Sequence, residues 1–66
     1  MLKQFTSMII EERERQNITP KQVAKHLNVS RQYYNRIEQG ELTLKYLILI
    51  CEYLNLSIKL IPKRYL

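Results

Sequence analysis

Residues that often stabilise a very small domain are scarce in this sequence. A single cysteine, Cys51, excludes an internal disulfide, and together with a single histidine, His26, it cannot complete a structural zinc site. A chain of 66 residues buries only a small core. Domains of this size often gain stability from a second subunit instead. We therefore expect no cofactor, and we expect a homodimer.

Long apolar runs and recognisable catalytic sets are also missing. No apolar run reaches the length of about 18 residues that spans a membrane, and the N-terminus has no signal-peptide pattern. These absences predict a cytoplasmic protein with no membrane partner. The sequence has no nucleophile–base arrangement, no carboxylate pair with a neighbouring histidine and no glycine-rich phosphate loop, so we do not expect an enzyme.

Basic residues outnumber acidic ones. Lysine and arginine together number 11, against 6 aspartates and glutamates, which gives a net charge of +5. Hydrophobic residues make up 45% of the chain, which argues against disorder. The sequence thus predicts one folded domain over residues 1–66, and its positive charge suits a polyanionic partner.

Helical spacing of apolar residues begins near the N-terminus. Leu2, Phe5 and Ile9 form one apolar stripe, which predicts a first helix over residues 2–16. Asn17 tolerates the left-handed conformation that often ends a helix, so we expect the helix to end there.

Residues 19–40 contain two helix-start signals separated by a short turn. Thr19 is a suitable N-cap, and Gln22 completes a capping box with it. Ser30 is the N-cap of the next helix, and Asn28 in the turn can adopt a positive φ. This pattern predicts a helix-turn-helix. The residues expected to face the core are Val23, Ala24, Leu27, Tyr34 and Ile37.

A last helix is predicted from near Thr43 to near Leu54, with Asn55 as its cap. Its apolar residues surround most of the helix, which is more than a small core can bury. The face expected in the core comprises Leu44, Leu47, Ile48, Ile50, Cys51 and Leu54. The opposite stripe, Tyr46, Leu49 and Tyr53, is expected to contact a second subunit.

The residues after this helix alternate weakly between apolar and polar. Residues 56–61 therefore predict a β-strand, which would pair with the same strand of a second copy. Residues 43–61 are thus the expected dimerisation region. The interface residues are Tyr46, Leu49, Tyr53, Ile58 and Leu60. In the alternative, the tyrosine stripe packs on the tail within one chain and the protein is monomeric.

Three segments resemble the phage Cro/repressor-type helix-turn-helix family, often called the Xre family. They are TPKQVAKHLNV, VSRQYYNRIEQG and LTLKYLILICEYLNLSI, and the resemblance extends from Ile9 to Ile58. It implies an all-α, lambda-repressor-like domain of four helices, or five with a short extra turn, that binds double-stranded DNA. The SIKLIPK tail resembles the C-terminal strand of persistence-type antitoxins, a subgroup in which that strand joins a two-fold sheet.

The resemblance also assigns roles to residues. An arginine of the first helix, Arg13, would pair with Glu38. Arginine and glutamine can form bidentate hydrogen bonds with guanine and adenine, although Arg36 could instead form a surface ion pair with Glu38 or Glu41. The predicted base contacts are Arg31, Gln32, Tyr33 and Arg36. The predicted phosphate contacts are Thr19, Lys21, Asn35, Gln39 and Lys45.

The sequence departs from the family pattern at two positions. Pro20 stands where the family often has a glutamine that binds phosphate, and Glu12 stands at a usually apolar position. The favoured function is a repressor that binds a palindromic operator as a homodimer. The alternative is an antitoxin that binds a toxin protein and regulates its own operon.

Overall fold

Our computed structural model describes residues 3–65. All the regular secondary structure in this range is helical. The helices are α1 (Lys3–Arg15), α2 (Pro20–Leu27), α3 (Arg31–Glu38) and α4 (Leu44–Leu54), followed by a short 3-10 helix at Lys63–Tyr65. The predicted four-helix, all-α architecture is confirmed. Within the described range, no helix is both long enough and apolar enough to cross a membrane.

Side-chain caps begin three of the helices. The Thr19 hydroxyl accepts a hydrogen bond from the Gln22 N–H (3.2 Å), and the Gln22 side chain accepts one from the Thr19 N–H (2.7 Å). Ser30 caps α3 by accepting from the N–H three residues on (3.0 Å), and Thr43 caps α4 in the same way (3.4 Å). Each cap satisfies an N–H group that the helix itself leaves unpaired. The predicted helix starts are therefore confirmed.

Asparagines end α2 and α4 and follow α1 closely. Asn17, Asn28 and Asn55 have φ angles of 58°, 60° and 60°. Asparagine tolerates this left-handed region better than most residues. After α3 the only glycine of the sequence, Gly40, has a φ of 122°, which other residues rarely adopt. The predicted helix ends at these four positions are confirmed.

The core lies between two pairs of helices. Both α1 and α2 pack against α3 and α4. All five residues predicted to face inward from the helix-turn-helix are buried. The buried apolar residues are Ile9, Val23, Ala24, Leu27, Tyr34, Ile37, Leu42, Leu47, Ile50, Cys51 and Leu54.

The buried face of α1 differs from the predicted one. Phe5 is exposed and only Ile9 of the predicted stripe is buried, while Leu2 lies outside the described residues. Two polar residues, Thr6 and Arg13, are buried instead. Both have hydrogen-bond partners, which removes most of the cost of burying them. An apolar stripe alone therefore predicted the wrong face.

The buried face of α4 is rotated from the predicted one by part of a turn. Of the six residues expected in the core, Leu47, Ile50, Cys51 and Leu54 are buried. Leu44 and Ile48, expected in the core, are 71% and 46% exposed. The stripe expected to be uncovered, Tyr46, Leu49 and Tyr53, is half-buried against the core. On this side, His26 of α2 stacks on Tyr53 with ring centres 4.3 Å apart, and Tyr33 of α3 meets the ring of Tyr46. The exposed apolar surface of α4 thus lies on its Leu44 side.

The predicted strand over residues 56–61 is not supported by the described chain. No residue of the 3–65 range lies in a β-strand. Leu56 still packs against the core, and its N–H donates to the Cys51 carbonyl, but Ile58 and Leu60 are exposed. A strand needs a neighbour to pair its backbone groups, and the helices of this chain offer none.

Candidate nucleic-acid interface

Backbone hydrogen bonds close the turn between α2 and α3. The Val29 N–H donates to the Ala24 carbonyl (3.0 Å), and the Asn28 N–H donates to the Lys25 carbonyl (3.1 Å). Ala24 is buried, and its single methyl group permits close approach of the two helices. These contacts build a compact helix-turn-helix unit.

The two sides of α3 differ sharply in exposure. Tyr34 and Ile37 are completely buried and anchor the helix to the core. The predicted base-contacting residues lie on the remaining surface, where Arg31, Gln32 and Arg36 are exposed and Tyr33 is half-buried. Arg31 and Gln32 occupy the first turn of the helix, directly after the Ser30 cap. The four predicted residues therefore lie outside the buried face of α3, with Tyr33 packed partly against the core.

The predicted phosphate-contacting residues are all exposed as well. They are Thr19, Lys21, Asn35, Gln39 and Lys45. The hydroxyl of Thr19 is already engaged, because it accepts from the Gln22 N–H and also lies 3.2 Å from the Gln22 Oε1. Lys21 and Lys45 lie in the amino-terminal turns of α2 and α4, where free backbone N–H groups favour an anion.

An open groove of about 410 Å³ runs between α2 and the start of α3. Two lysines of α2 and the first arginine of α3 line it, so it combines a concave shape with positive charge. Such a groove suits a phosphate backbone. Its lining residues are Lys21, Ala24, Lys25, Asn28, Val29 and Arg31.

Aromatic and cationic side chains connect α3 to the start of α4. The Arg36 guanidinium lies 6.0 Å from the centre of the Tyr33 ring. Tyr33 meets Tyr46 edge-on, with ring centres 5.8 Å apart, and the Lys45 ammonium lies 5.6 Å from the Tyr46 ring centre. These contacts place one cation at each end of a pair of tyrosines. They also explain why Tyr46 is half-buried.

A nearly buried ion pair holds α3 to α1. The Arg13 Nε donates to Glu38 Oε2 (2.8 Å), and its Nη1 donates to the Ile18 carbonyl (2.9 Å). The two charged side chains are only 9% and 14% exposed. The pair predicted from the family resemblance is therefore present, and it fixes the end of the candidate recognition helix.

The Tyr34 hydroxyl is buried beside this ion pair. Within the described residues, no group lies in hydrogen-bonding geometry with its oxygen. Burial, and then the neighbouring Glu38 carboxylate, raise the pKa of Tyr34 well above its usual range, while Arg13 opposes this shift. Tyr34 thus remains neutral at physiological pH and acts as an apolar anchor for α3.

A comparison with protein-family models matches residues 9–61 to the family HTH_3, described as helix-turn-helix. The chain belongs to this helix-turn-helix family. Its Xre-like type indicates a DNA-binding regulator of transcription. Comparisons with curated proteins and with solved structures returned no match.

The helix-turn-helix and the start of α4 carry a net positive charge. Residues 19–46 contain five basic and two acidic side chains. One of the acids, Glu38, is neutralised by Arg13. The other, Glu41, forms an exposed ion pair with Arg36 in which Nε and Oε2 are 2.9 Å apart. The sequence allowed an ion pair of Arg36 with Glu38 or Glu41, and the pair with Glu41 is present.

Sequence reasoning missed one residue of this helix-turn-helix surface. Lys25 of α2 is not among the predicted DNA contacts. The structure places Lys25 in the basic groove together with Lys21 and Arg31. The spacing of Lys21 and Lys25, four residues apart on one helix, was the available signal. Their proximity to the start of α3 depends on how the two helices cross.

Proposed function

We propose that the protein is a sequence-specific repressor that binds a palindromic operator as a homodimer, with α3 in the major groove. The observation that carries this proposal is the two-sided character of α3. Tyr34 and Ile37 are fully buried, whereas Arg31 and Gln32 project from its first turn. In helix-turn-helix proteins, the amino-terminal residues of the second helix contact base edges.

The base contacts follow from side-chain chemistry. Arg31 can donate two hydrogen bonds to the O6 and N7 of guanine, and Gln32 can pair with the N6 and N7 of adenine. Lys21, Lys25 and Lys45 supply phosphate contacts that orient the domain but carry no sequence information. A domain bound over a promoter blocks polymerase sterically, which makes repression the simplest outcome.

Selection of DNA duplexes from a random library tests this function. We expect the full chain to enrich one palindromic sequence and to bind it on the order of 10³-fold more tightly than a shuffled duplex of equal composition. Gel shifts at low and moderate salt should show that both affinities fall with salt, because phosphate contacts release counterions. Equal affinity for all sequences at both salt concentrations would contradict sequence-specific binding.

Dimerisation is proposed from the uncovered apolar surface of the chain. Leu44 and Ile48 on α4, together with Phe5 and Met8 on α1, are large apolar residues with substantial exposure. Ile58, Leu60 and Ile61 in the tail are exposed as well. An apolar surface this extensive on such a small domain is typical of a subunit interface. The predicted interface residues of α4 are half-buried against the core, so less of their surface is accessible to a second subunit. They are Tyr46, Leu49 and Tyr53.

The Ile48→Lys substitution separates this interface from the predicted tail interface. We expect it to convert a dimer to a monomer in sedimentation velocity, because a lysine charge would be desolvated between subunits. Helix content by circular dichroism should stay unchanged. The matched control is Lys59→Ala in the tail, which should leave the dimer intact. A dimer that survives Ile48→Lys but is lost on deletion of residues 57–66 would favour the tail instead.

The antitoxin alternative is not favoured by the family match, which indicates a DNA-binding regulator. It depended on a C-terminal strand that joins a two-fold sheet, and residues 56–61 contain no strand in the described chain. We therefore retain the repressor as the proposed function.

A further inference from the structure

The contact between Arg36 and Glu41 is unusual for a surface that is expected to bind DNA. The Arg36 Nε lies 2.9 Å from Glu41 Oε2, and its Nη2 lies 3.5 Å from Glu41 Oε1. The two side chains are 60% and 55% exposed, so burial does not force them together. A carboxylate beside phosphate groups is repelled by them, and its presence there requires an explanation.

The turn that ends α3 fixes the position of Glu41. The Gly40 N–H donates to the Ile37 carbonyl (3.1 Å), and the Glu41 N–H donates to the Arg36 carbonyl (3.0 Å). This turn requires a φ of 122° at position 40, which glycine adopts readily. The backbone of Glu41 is thus tied directly to the backbone of Arg36, and the carboxylate can reach the guanidinium at low entropic cost.

A tyrosine limits the guanidinium from another direction. The Arg36 Cζ lies 6.0 Å from the centre of the Tyr33 ring, and Tyr33 is supported edge-on by Tyr46. The planar guanidinium is therefore bounded by a carboxylate and by an aromatic ring. Arginine recognises a guanine only when its fork has the correct orientation, whereas a phosphate accepts many orientations.

We propose that Glu41 is a specificity-determining residue, whose carboxylate orients Arg36 and offsets its charge so that Arg36 favours a particular base sequence over phosphates in general. A free arginine strengthens binding to every sequence. Arg36 paired with Glu41 must exchange its partner for DNA, and only a well-placed base acceptor compensates for that exchange. This inference rests on the proposed function, because it concerns the same DNA-binding surface.

The Glu41→Gln substitution in the full chain tests the proposal. The probes are the duplex selected by the wild-type protein and a shuffled duplex of the same composition. We expect Glu41→Gln to raise affinity for the shuffled duplex and to lower the ratio of selected to shuffled affinity about fivefold, near the upper limit for an exposed ion pair. The dependence of the logarithm of affinity on that of salt should steepen by up to about 0.9 for the shuffled duplex, because one more cation meets phosphate.

The matched control is Glu14→Gln. Glu14 is exposed on α1, and its substitution changes the net charge by the same amount. It should raise affinity for both duplexes equally and leave their ratio unchanged. The proposal is overturned if Glu41→Gln lowers the ratio of selected to shuffled affinity by no more than Glu14→Gln does.

A double-mutant cycle with Arg36→Gln identifies the residue through which Glu41 acts. In the Arg36→Gln background, the additional Glu41→Gln substitution should have no more effect on the ratio than Glu14→Gln has. A full effect in that background would mean that Glu41 acts on DNA directly, and the proposal would be wrong. If the wild-type chain selects no sequence at all, the proposed function and this inference fail together. If the wild-type protein selects a sequence but Glu41→Gln leaves the ratio of selected to shuffled affinity unaltered, only this inference fails.

Discussion

The Glu38→Ala variant is expected to lose about 2–4 kcal/mol of unfolding free energy. Removal of the carboxylate leaves the Arg13 guanidinium nearly buried, with the Ile18 carbonyl as its one remaining partner among residues 3–65. The cost of an uncompensated buried charge exceeds the attraction that the intact pair contributes. A domain of 66 residues has a total stability of roughly 3–10 kcal/mol. Urea denaturation followed by circular dichroism should therefore show a much lower midpoint, or an unfolded protein.

The chain supplies a matched control for this prediction. Glu41→Ala breaks an ion pair of the same residue types whose side chains are more than half exposed. Its expected cost is below about 1 kcal/mol, because solvent screens the charges in both states. If Glu38→Ala costs no more than Glu41→Ala, the Arg13–Glu38 pair does not hold α3 to α1. Such a result would also weaken the view that the ion pair positions the recognition helix.

Substitutions at the start of α3 are expected to have the largest effect on DNA binding. Arg31→Ala and Gln32→Ala should each weaken binding to the selected duplex by about 10- to 100-fold, since a bidentate base contact contributes about 1–3 kcal/mol of discrimination. Both side chains are exposed in the first turn, so neither substitution should disturb the fold. Fluorescence anisotropy with labelled selected and shuffled duplexes measures the effect.

Comparison of the two duplexes separates base contacts from phosphate contacts. Gln32→Ala should leave the shuffled affinity nearly unchanged, whereas Lys21→Ala should weaken both affinities to a similar degree. Arg15→Ala, an exposed arginine substitution at the end of α1, controls for the loss of one positive charge. If Arg31→Ala lowers both affinities equally, Arg31 contacts phosphate and the predicted contact with guanine is wrong.

The sequence predicted reliably the features that depend on residues close together in the chain. Thr19 and Ser30 begin helices, and Asn28 and Asn55 end them, as their side-chain chemistry indicates. These outcomes depend on hydrogen bonds between neighbours in the chain and on local backbone sterics. The buried pair Tyr34 and Ile37 follows from helical spacing once the ends of α3 are known.

The orientation of whole helices required the tertiary structure. Periodicity assigned Phe5 and Ile48 to the core, but α1 buries Thr6 and Arg13 and α4 buries the face nearer its tyrosines. When nearly every side of a helix is apolar, as in α4, the pattern cannot identify the side that neighbouring helices will cover. Helix crossings make that choice.

The sequence by itself determined the four helices, their ends and the inward residues of the helix-turn-helix, because local interactions specify them. Only the tertiary structure decided that Lys25 lies in the basic groove, that Arg36 pairs with Glu41, and that the exposed apolar surface of α4 surrounds Leu44. Each of these depends on where separate segments meet in space. The missing strand at residues 56–61 has the same origin, since extended backbone becomes a strand only when a second strand pairs with it.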